Sequence, residues 1–280
     1  MLLSTLAAAA AGAAYLAVRS WAEAHSLFVT QVDVPIEGLP PELDGFTILH
    51  LSDLHLRGYG PFEQDLVRTV RGLPAPVLVI TGDFLGEPGG ASALIPVIME
   101  IGRDRLVYGV LGNHDRGKRI NTQALARDLT RAGVRLLVNS GEVIRHRGRR
   151  IRIAGVDDPH TGLDDLDQAL ACVPPSQGDG REPLVLLAHS PDVLETASRA
   201  GVDLVLAGHT HGGQICLPGG VPLWTNTRRG RFGAGLYRRG HTQMFVTRGI
   251  GTSSLPGRLF CPPEVAVIRL VPARRESSQA

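Results

Sequence analysis

Residues 203–215 read DLVLAGHTHGGQI. The run Asp203–Ala207 has the length and residue types of a buried strand, and it stops abruptly at Gly208. Directly afterwards His209 and His211 stand one residue apart between glycines. Two imidazoles in a turn are an ordinary strand ending. The same two imidazoles can also both face a metal ion, and the rest of the chain has to decide between these readings.

The residues that end the other apolar runs decide it. Compact runs of four to six residues recur at Phe46–Leu51, Val77–Thr81, Leu106–Leu111, Arg135–Val138, Ile151–Gly155, Leu184–Ala188, Gln243–Thr247 and Val265–Leu270, with a short strand expected at Val32–Ile36. Phe46–Leu51 is followed by Ser52-Asp53-Leu54-His55, Val77–Thr81 by Gly82-Asp83, and Leu106–Leu111 by Gly112-Asn113-His114-Asp115. Leu184–Ala188 is followed by His189-Ser190-Pro191. With His209 and His211, five runs therefore end in Asp, Asn or His. One such residue is most often a turn former or a cap. In open α/β sheets, however, the carboxyl ends of strands converge on the ligand crevice, so groups far apart in sequence meet there.

Between the runs lie helical patterns. Phe62–Arg71 carries Leu66, Val67 and Val70 on one side, Thr122–Ala132 carries Leu125 and Leu129, and Pro191–Ala200 follows Ser190 as N-cap. Alternating strands and helices predict an α/β layered domain over residues 30–272. Glu142–Ile153 reads as a hairpin about Gly148, more antiparallel strands are expected after Gly212, and residues 273–280 read as a frayed tail.

Bulk properties narrow the function classes. The 280 residues are 43% hydrophobic and 20% charged, the profile of an ordinary globular protein. A net charge of +2 gives no reason to expect a nucleic-acid partner. Cys172, Cys216 and Cys261 form no CxxC pair, which argues against a thiolate zinc site. At the N-terminus, Leu2–Val18 is an uncharged run rich in alanine and leucine, followed by Arg19. Residues 1–24 thus admit three readings: a membrane anchor, a cleaved signal with Ala22-Glu-Ala24 as cleavage site, or a buried soluble helix.

Carboxylate, amide and imidazole without thiolate is a nitrogen/oxygen donor set suited to Mn, Fe, Zn or similar divalent ions. In Asp53-x-His55 an extended backbone would turn both side chains the same way. One carboxylate has two oxygens and can bridge a pair of ions roughly 3.5–4 Å apart.

Asp53-x-His55, Gly82-Asp83, Gly112-Asn113-His114-Asp115, His189 and Gly208-His209-Thr210-His211, in this order, resemble the calcineurin-like metallophosphoesterase superfamily from about Val32 to Leu270. GHTHGGQICLP and RGIGTSSLPGRLFCPPEVAVIRL are similar to its YkuE/YaeI-like bacterial phosphodiesterase branch, many of whose members carry an N-terminal signal or membrane segment. The resemblance implies a four-layer α-β-β-α sandwich with two metals at one edge. Asp53, His55 and His211 would hold one ion, Asn113, His189 and His209 the other, and Asp83 would bridge. His114 would be the general acid and Asp115 its orienting partner. Solvent between the two cations would lose its proton near neutral pH and attack phosphorus, and His114 would protonate the leaving oxygen.

The substrate is less legible. A phosphodiester or pyrophosphate bond is expected, on a lipid-linked substrate of the UDP-diacylglucosamine type, which would put the protein at a bacterial inner or cell membrane, or export it if the signal is cleaved. Arg228, Arg229 and Arg231, with Arg238 and Arg239 nearby, would hold a second phosphate or an anionic head group, or simply form a solvated loop. The competing functions are a soluble nucleotide phosphodiesterase or phosphomonoesterase, and a non-catalytic interaction scaffold such as the phosphoesterase-like subunit of retromer.

Overall fold

A computed structural model describes residues 2–177, 180–228 and 232–273. The chain runs α1 (Leu2–Ala24), β1 (Phe28–Ile36), β2 (Thr47–Leu51), α2 (Pro61–Arg71), β3 (Val77–Thr81), α3 (Ala91–Ile101), β4 (Leu106–Val110), α4 (Thr122–Arg131) and β5 (Val134–Leu136). It continues through β6 (Ser140–His146), β7 (Arg149–Gly155), α5 (Leu166–Cys172), β8 (Leu184–Leu187), α6 (Leu194–Arg199) and β9 (Leu204–Ala207). The last part holds β10 (Cys216–Leu217), β11 (Val221–Pro222), β12 (Gly235–Arg239), β13 (Thr242–Val246) and β14 (Glu264–Pro272).

Twelve of these strands form two six-stranded sheets, ordered β1-β14-β2-β3-β4-β5 and β12-β13-β9-β8-β7-β6. Strands buried on both faces need apolar residues on both, which is why the runs show little polar alternation. In β8, Val185 and Leu187 face the opposite sheet while Leu184 and Leu186 face the helices. The inter-sheet core also takes Ile48, Val79, Tyr108, Ile153, Leu206 and Phe245. Outside the first sheet, α2, α3 and α4 bury Leu66, Leu94, Ile98 and Leu129. Outside the second, α5 and α6 bury Ala169, Leu194 and Ala197. The result is the α-β-β-α sandwich. β2, β3 and β4 run parallel in one sheet and β7, β8, β9 and β13 in the other, so the five motif-bearing turns lie at strand carboxyl ends.

The structure corrects several local expectations. The strand expected at 32–36 starts at Phe28, because the edge strand β1 pairs residue by residue with β14 from Phe28↔Glu264 onward. Helix α3 is absent from the sequence reading: Pro96 sits inside it and Gly89-Gly90 precede it, both helix-breaking signals. Burial of Leu94, Val97, Ile98 and Ile101 outweighs them. The helix expected over 191–200 opens with a 3-10 turn at Pro191–Val193, where Ser190 Oγ accepts from the Asp192 amide. The hairpin is as read, with Arg147 and Gly148 at φ +47° and +77° between β6 and β7.

The N-terminal apolar segment is α1, and its residues 4–18 are exposed rather than buried. No helix among the described residues is long and apolar enough to cross a membrane. Of the tail, Ala273 donates its amide to Ile36 O, and residues 274–280 lie outside the described residues.

Leu206 is wholly buried between the sheets three residues before His209. Leu206→Ala should cost about 3 kcal/mol in urea unfolding of the metal-free protein. A loss below about 1 kcal/mol would contradict this inter-sheet core.

Candidate metal centre

Two turns, 52–56 after β2 and 82–85 after β3, are laced together at this edge. Asp53 N donates to Gly82 O at 2.9 Å, and His55 N to Asp83 O at 2.9 Å. Across the sheet edge, Ile250 N and Gly251 N donate to Ser52 O and Asp53 O. Asp53, His55, Asp83, His209 and His211 all have φ between +43° and +70°. That left-handed region is disfavoured for side chains bearing a Cβ, and the strain of about 1–3 kcal/mol per residue clusters at functional sites. Asp53 and His55 therefore converge through a strained turn, not through the extended strand alternation expected from the sequence. Close approach requires glycine at two positions. A Cβ on Gly208 would lie 1.9 Å from Ser52 Oγ, and one on Gly112 would lie 2.2 Å from Asp83 Oδ1.

Each carboxylate has one oxygen fixed by the backbone and one left over. Asp53 Oδ2 accepts from the His209 amide at 2.9 Å, and Asp83 Oδ1 accepts from the His114 amide at 2.8 Å. Asp53 Oδ1 is buried without a hydrogen-bond partner, 3.3 Å from His211 Nε2 and 4.0 Å from His55 Nε2. Asp83 Oδ2 lies 3.5 Å from His55 Nε2 and 3.4 Å from His189 Nε2. His55 Nε2 and His211 Nε2 are 3.2 Å apart. On the other side, His189 Nε2 lies 3.1 Å from both Asn113 Oδ1 and His209 Nδ1. His189 Nδ1 faces Thr81 O at 2.7 Å, which leaves Nε2 for the cluster.

These spacings fit divalent ions. Donor atoms about 2.1 Å from one cation are separated from each other by ~3.0–3.4 Å. The 3.1–3.5 Å separations lie at or close to that edge length, Asp53 Oδ1 and His55 Nε2 are wider apart at 4.0 Å, and Asp53 Oδ1 is a buried acceptor without a donor. Asp53, His55 and His211 form one group with metal-holding geometry, and Asp53, Asp83 and His189 form another.

Protonation is set by burial and neighbours. Burial pushes His211 down to about 3, against the pull of Asp53. Burial and the neighbouring His189 push His209 down to about 4. Both are then neutral near pH 7, the form that binds a cation. Burial would also lower His189, but the Asp83 carboxylate overrides it and raises the group to about 10. Burial would raise Asp83, but His189 and His55 hold it below the usual carboxylate range.

The remaining residues divide. His114 is exposed at the cavity mouth, its ring edge-on to His55 at 4.8 Å between centroids, and it also lies within ligand reach of His55 and Asp83. Asp115 is not placed beside the His114 ring. Its carboxylate accepts from the amides of Asp83, Phe84 and Gly112, binding the β3 turn to the β4 turn. Burial and the Asp83 charge raise it to about 7. Arg228 turns toward Pro159 O, Arg238 and Arg239 pair with Glu37 and Glu195, and Arg229 and Arg231 lie outside the described residues.

The sequence reading missed the second layer. Gln214 donates to Leu255 O and Gly257 O and accepts from Ser253 N, clamping the 253–257 segment over the site. The wholly buried Arg258 donates to the carbonyls of Arg248, Gly251 and Cys261 and comes within 3.3 Å of His211 Nδ1. Cys261 Sγ and Cys216 Sγ donate to His211 O and Gly212 O. Gln214 belongs to the histidine motif itself, whereas no local pattern marks Arg258.

Replacement of Asp83 by Asn should empty both positions, while Asp53→Asn should keep about one ion per chain by plasma mass spectrometry. Asp83→Asn protein that retains two ions would contradict the shared carboxylate. A second expectation concerns pH. His189 is protonated in the metal-free protein below about 10, so its proton must leave when a cation binds. Loading near pH 7 should therefore release protons, and affinity should rise with pH. Calorimetry in buffers of different ionisation heat measures this, and loading without proton release would contradict the His189–Asp83 geometry.

Comparison with known proteins bears on the same residues. The family model for calcineurin-like phosphoesterases matches residues 46–213, from the start of β2 through the histidine pair. The chain is 31% identical over 254 residues to metallophosphoesterase YkuE of Bacillus subtilis, covering 89% of this chain and 87% of that one. It is 31% identical over 233 residues to phosphodiesterase YaeI of Escherichia coli, covering 81% and 82%. A transmembrane protein with metallophosphoesterase domain from Bos taurus is 34% identical over 265 residues, covering 86% of this chain and 56% of that protein. The chain belongs to the calcineurin-like phosphoesterase family and is a hydrolase of phosphoric esters.

Proposed function

We propose that this protein is a dinuclear metal-dependent hydrolase of phosphodiester or pyrophosphate bonds. The observation that carries the reading is Asp83 Oδ2, within 3.5 Å of an imidazole from each donor trio. Asp53, His55 and His211 would hold one ion, Asn113, His189 and His209 the other, with Asp83 shared. The donor set suits Mn, Fe or Zn. Bound there, the cations supply Lewis acidity for activating water and for offsetting phosphate charge.

The chain's own residues do the rest. A cavity of about 300 Å³ opens on Asp83, Asn113, His114, His209 and His211 and is walled by Gln214, Trp224, Ser253 and Leu255. It orients the ester, and its apolar rim reduces water around the leaving group. His114 stands at its mouth without a hydrogen bond to another side chain among the described residues, free to place a proton on the leaving oxygen. Exposed Trp224 and Leu255 beside the metal ligands support a substrate with an apolar part, such as a lipid-linked diphosphate of the UDP-diacylglucosamine type. For placement in the cell, we propose a membrane surface contacted by α1, whose Leu6, Tyr15, Leu16 and Val18 are exposed.

Two measurements test this. His114→Ala should keep its ions and lose about 10²–10⁴-fold in kcat, least for p-nitrophenol and most for alkoxide leaving groups. An equal loss across a series of leaving groups, or loss of metal, would contradict the acid role. The full-length protein should turn over micellar lipid phosphodiesters faster than soluble ones and sediment with liposomes; equal turnover and no sedimentation would remove the lipid reading.

A further inference from the structure

Besides a cavity next to Lys118 and Arg119 that Asn113 also lines, candidate ligands among the described residues line two cavities on either side of one segment. Residues 251–256 form a strap between them: Ser253, Ser254 and Leu255 line the first, and Gly251, Thr252 and Pro256 line the second. The second cavity, about 630 Å³, shares the ligand His55 as part of its wall and runs between α1 and α2. Its aromatic side is built from Trp21 and His25, with ring centroids 4.5 Å apart, and from Phe62, 5.7 Å from His25. Arg57 lines the same cavity, its guanidinium held to Thr252 O and engaged in no ion pair among the described residues.

The chain has two tryptophans, and each stands at one of these cavities. Trp21 is 61% exposed and Trp224 is 70% exposed. Exposed tryptophan beside a concave polar site is the composition of a recognition surface, not of a core. The position of Trp21 is also fixed. Ser20 O accepts from Arg258 N at 3.0 Å, Glu23 accepts from Cys261 N, and the Arg19 guanidinium lies 4.2 Å over the Phe260 ring. The last two turns of α1 are thus bolted to the segment that carries Arg258 and covers the ligands. A cut after Ala24 would remove every one of these contacts.

We propose that the cavity between α1 and α2 is a substrate subsite, which receives the group that stays on phosphorus after hydrolysis, an aromatic or apolar alcohol. Rings stack on Trp21 and Phe62, and Arg57 faces the phosphate between them and the metal centre. His114 lines the first cavity and the one beside Lys118 and Arg119 but not the cavity at Trp21, so the alcohol that leaves departs on the side of the strap away from Trp21 and the retained one lies on the Trp21 side. This rests on the diesterase reading above and gives it a direction.

The test keeps the leaving group constant and changes only the retained one. Bis(p-nitrophenyl) phosphate and methyl p-nitrophenyl phosphate both release p-nitrophenol, but leave an aryl and a methyl group on phosphorus. Trp21→Ala and Phe62→Ala should each lower kcat/KM about tenfold for the aryl diester and stay within about twofold of wild type for the methyl one, with metal content unchanged. Trp21→Phe should recover most of the loss. In Trp224→Phe protein, where Trp21 is the sole tryptophan, diphenyl phosphate should quench the emission saturably and dimethyl phosphate should not. Equal losses on the two diesters, no loss on either, or emission unmoved by diphenyl phosphate would each overturn the subsite. Wild-type enzyme that hydrolyses p-nitrophenyl phosphate but neither diester would overturn the diesterase reading, and the subsite with it.

Discussion

Everything at the functional edge of this protein depends on how the Asp83 carboxylate is held. One oxygen is fixed by the His114 amide and the other is presented between His55 and His189. An unpaired carboxylate with this burial would be very costly, and the surrounding imidazoles and amides make it tolerable. Asp115 underlies it, drawing the amides of Asp83, Phe84 and Gly112 onto one side chain. Two strand ends from the same sheet are thereby fixed to each other by contacts that involve no ligand from the second sheet.

The second sheet arrives because the two sheets are packed face to face. Leu204 and Leu206 of β9 and Val185 and Leu187 of β8 bury against the first sheet and bring His189, His209 and His211 to the same edge. That packing also offsets the backbone strain. Five of the seven candidate ligands have positive φ, a conformation that isolated loops would relax away from. Here it persists because the turns are cross-bonded to one another and roofed by residues 248–261. Gly249 lies so close to Asp53 that an added Cβ would come within 2.8 Å of its side chain.

Much of this was legible in the sequence, for a physical reason. Buried strands advertise themselves as apolar runs, and chemistry placed at their carboxyl ends comes within a few residues of each run. β3 and the ends of β2, β4, β8 and β9 could therefore be read with their ligands attached. Helix α3 could not, since Pro96 opposes it and only tertiary burial rescues it. The expected orientation of Asp53 and His55 came from strand periodicity, and the backbone leaves that periodicity at the ligands themselves. Partners contributed by distant segments left no local pattern: residues 253–257 held by Gln214, Arg258 behind His211, and α1 against Phe260. The N-terminal segment admitted three readings in the sequence, and no residue pattern there marked its final turns as part of the wall beside the metal ligands.

The central claim is that carboxylate, amide and imidazole groups from five strand ends gather around a pair of divalent cations. Anomalous diffraction from crystals of the manganese-loaded protein tests it most directly. Two peaks roughly 3.5–4 Å apart, on either side of Asp83 Oδ2, are expected. A single peak, or two peaks that do not share Asp83, would contradict it.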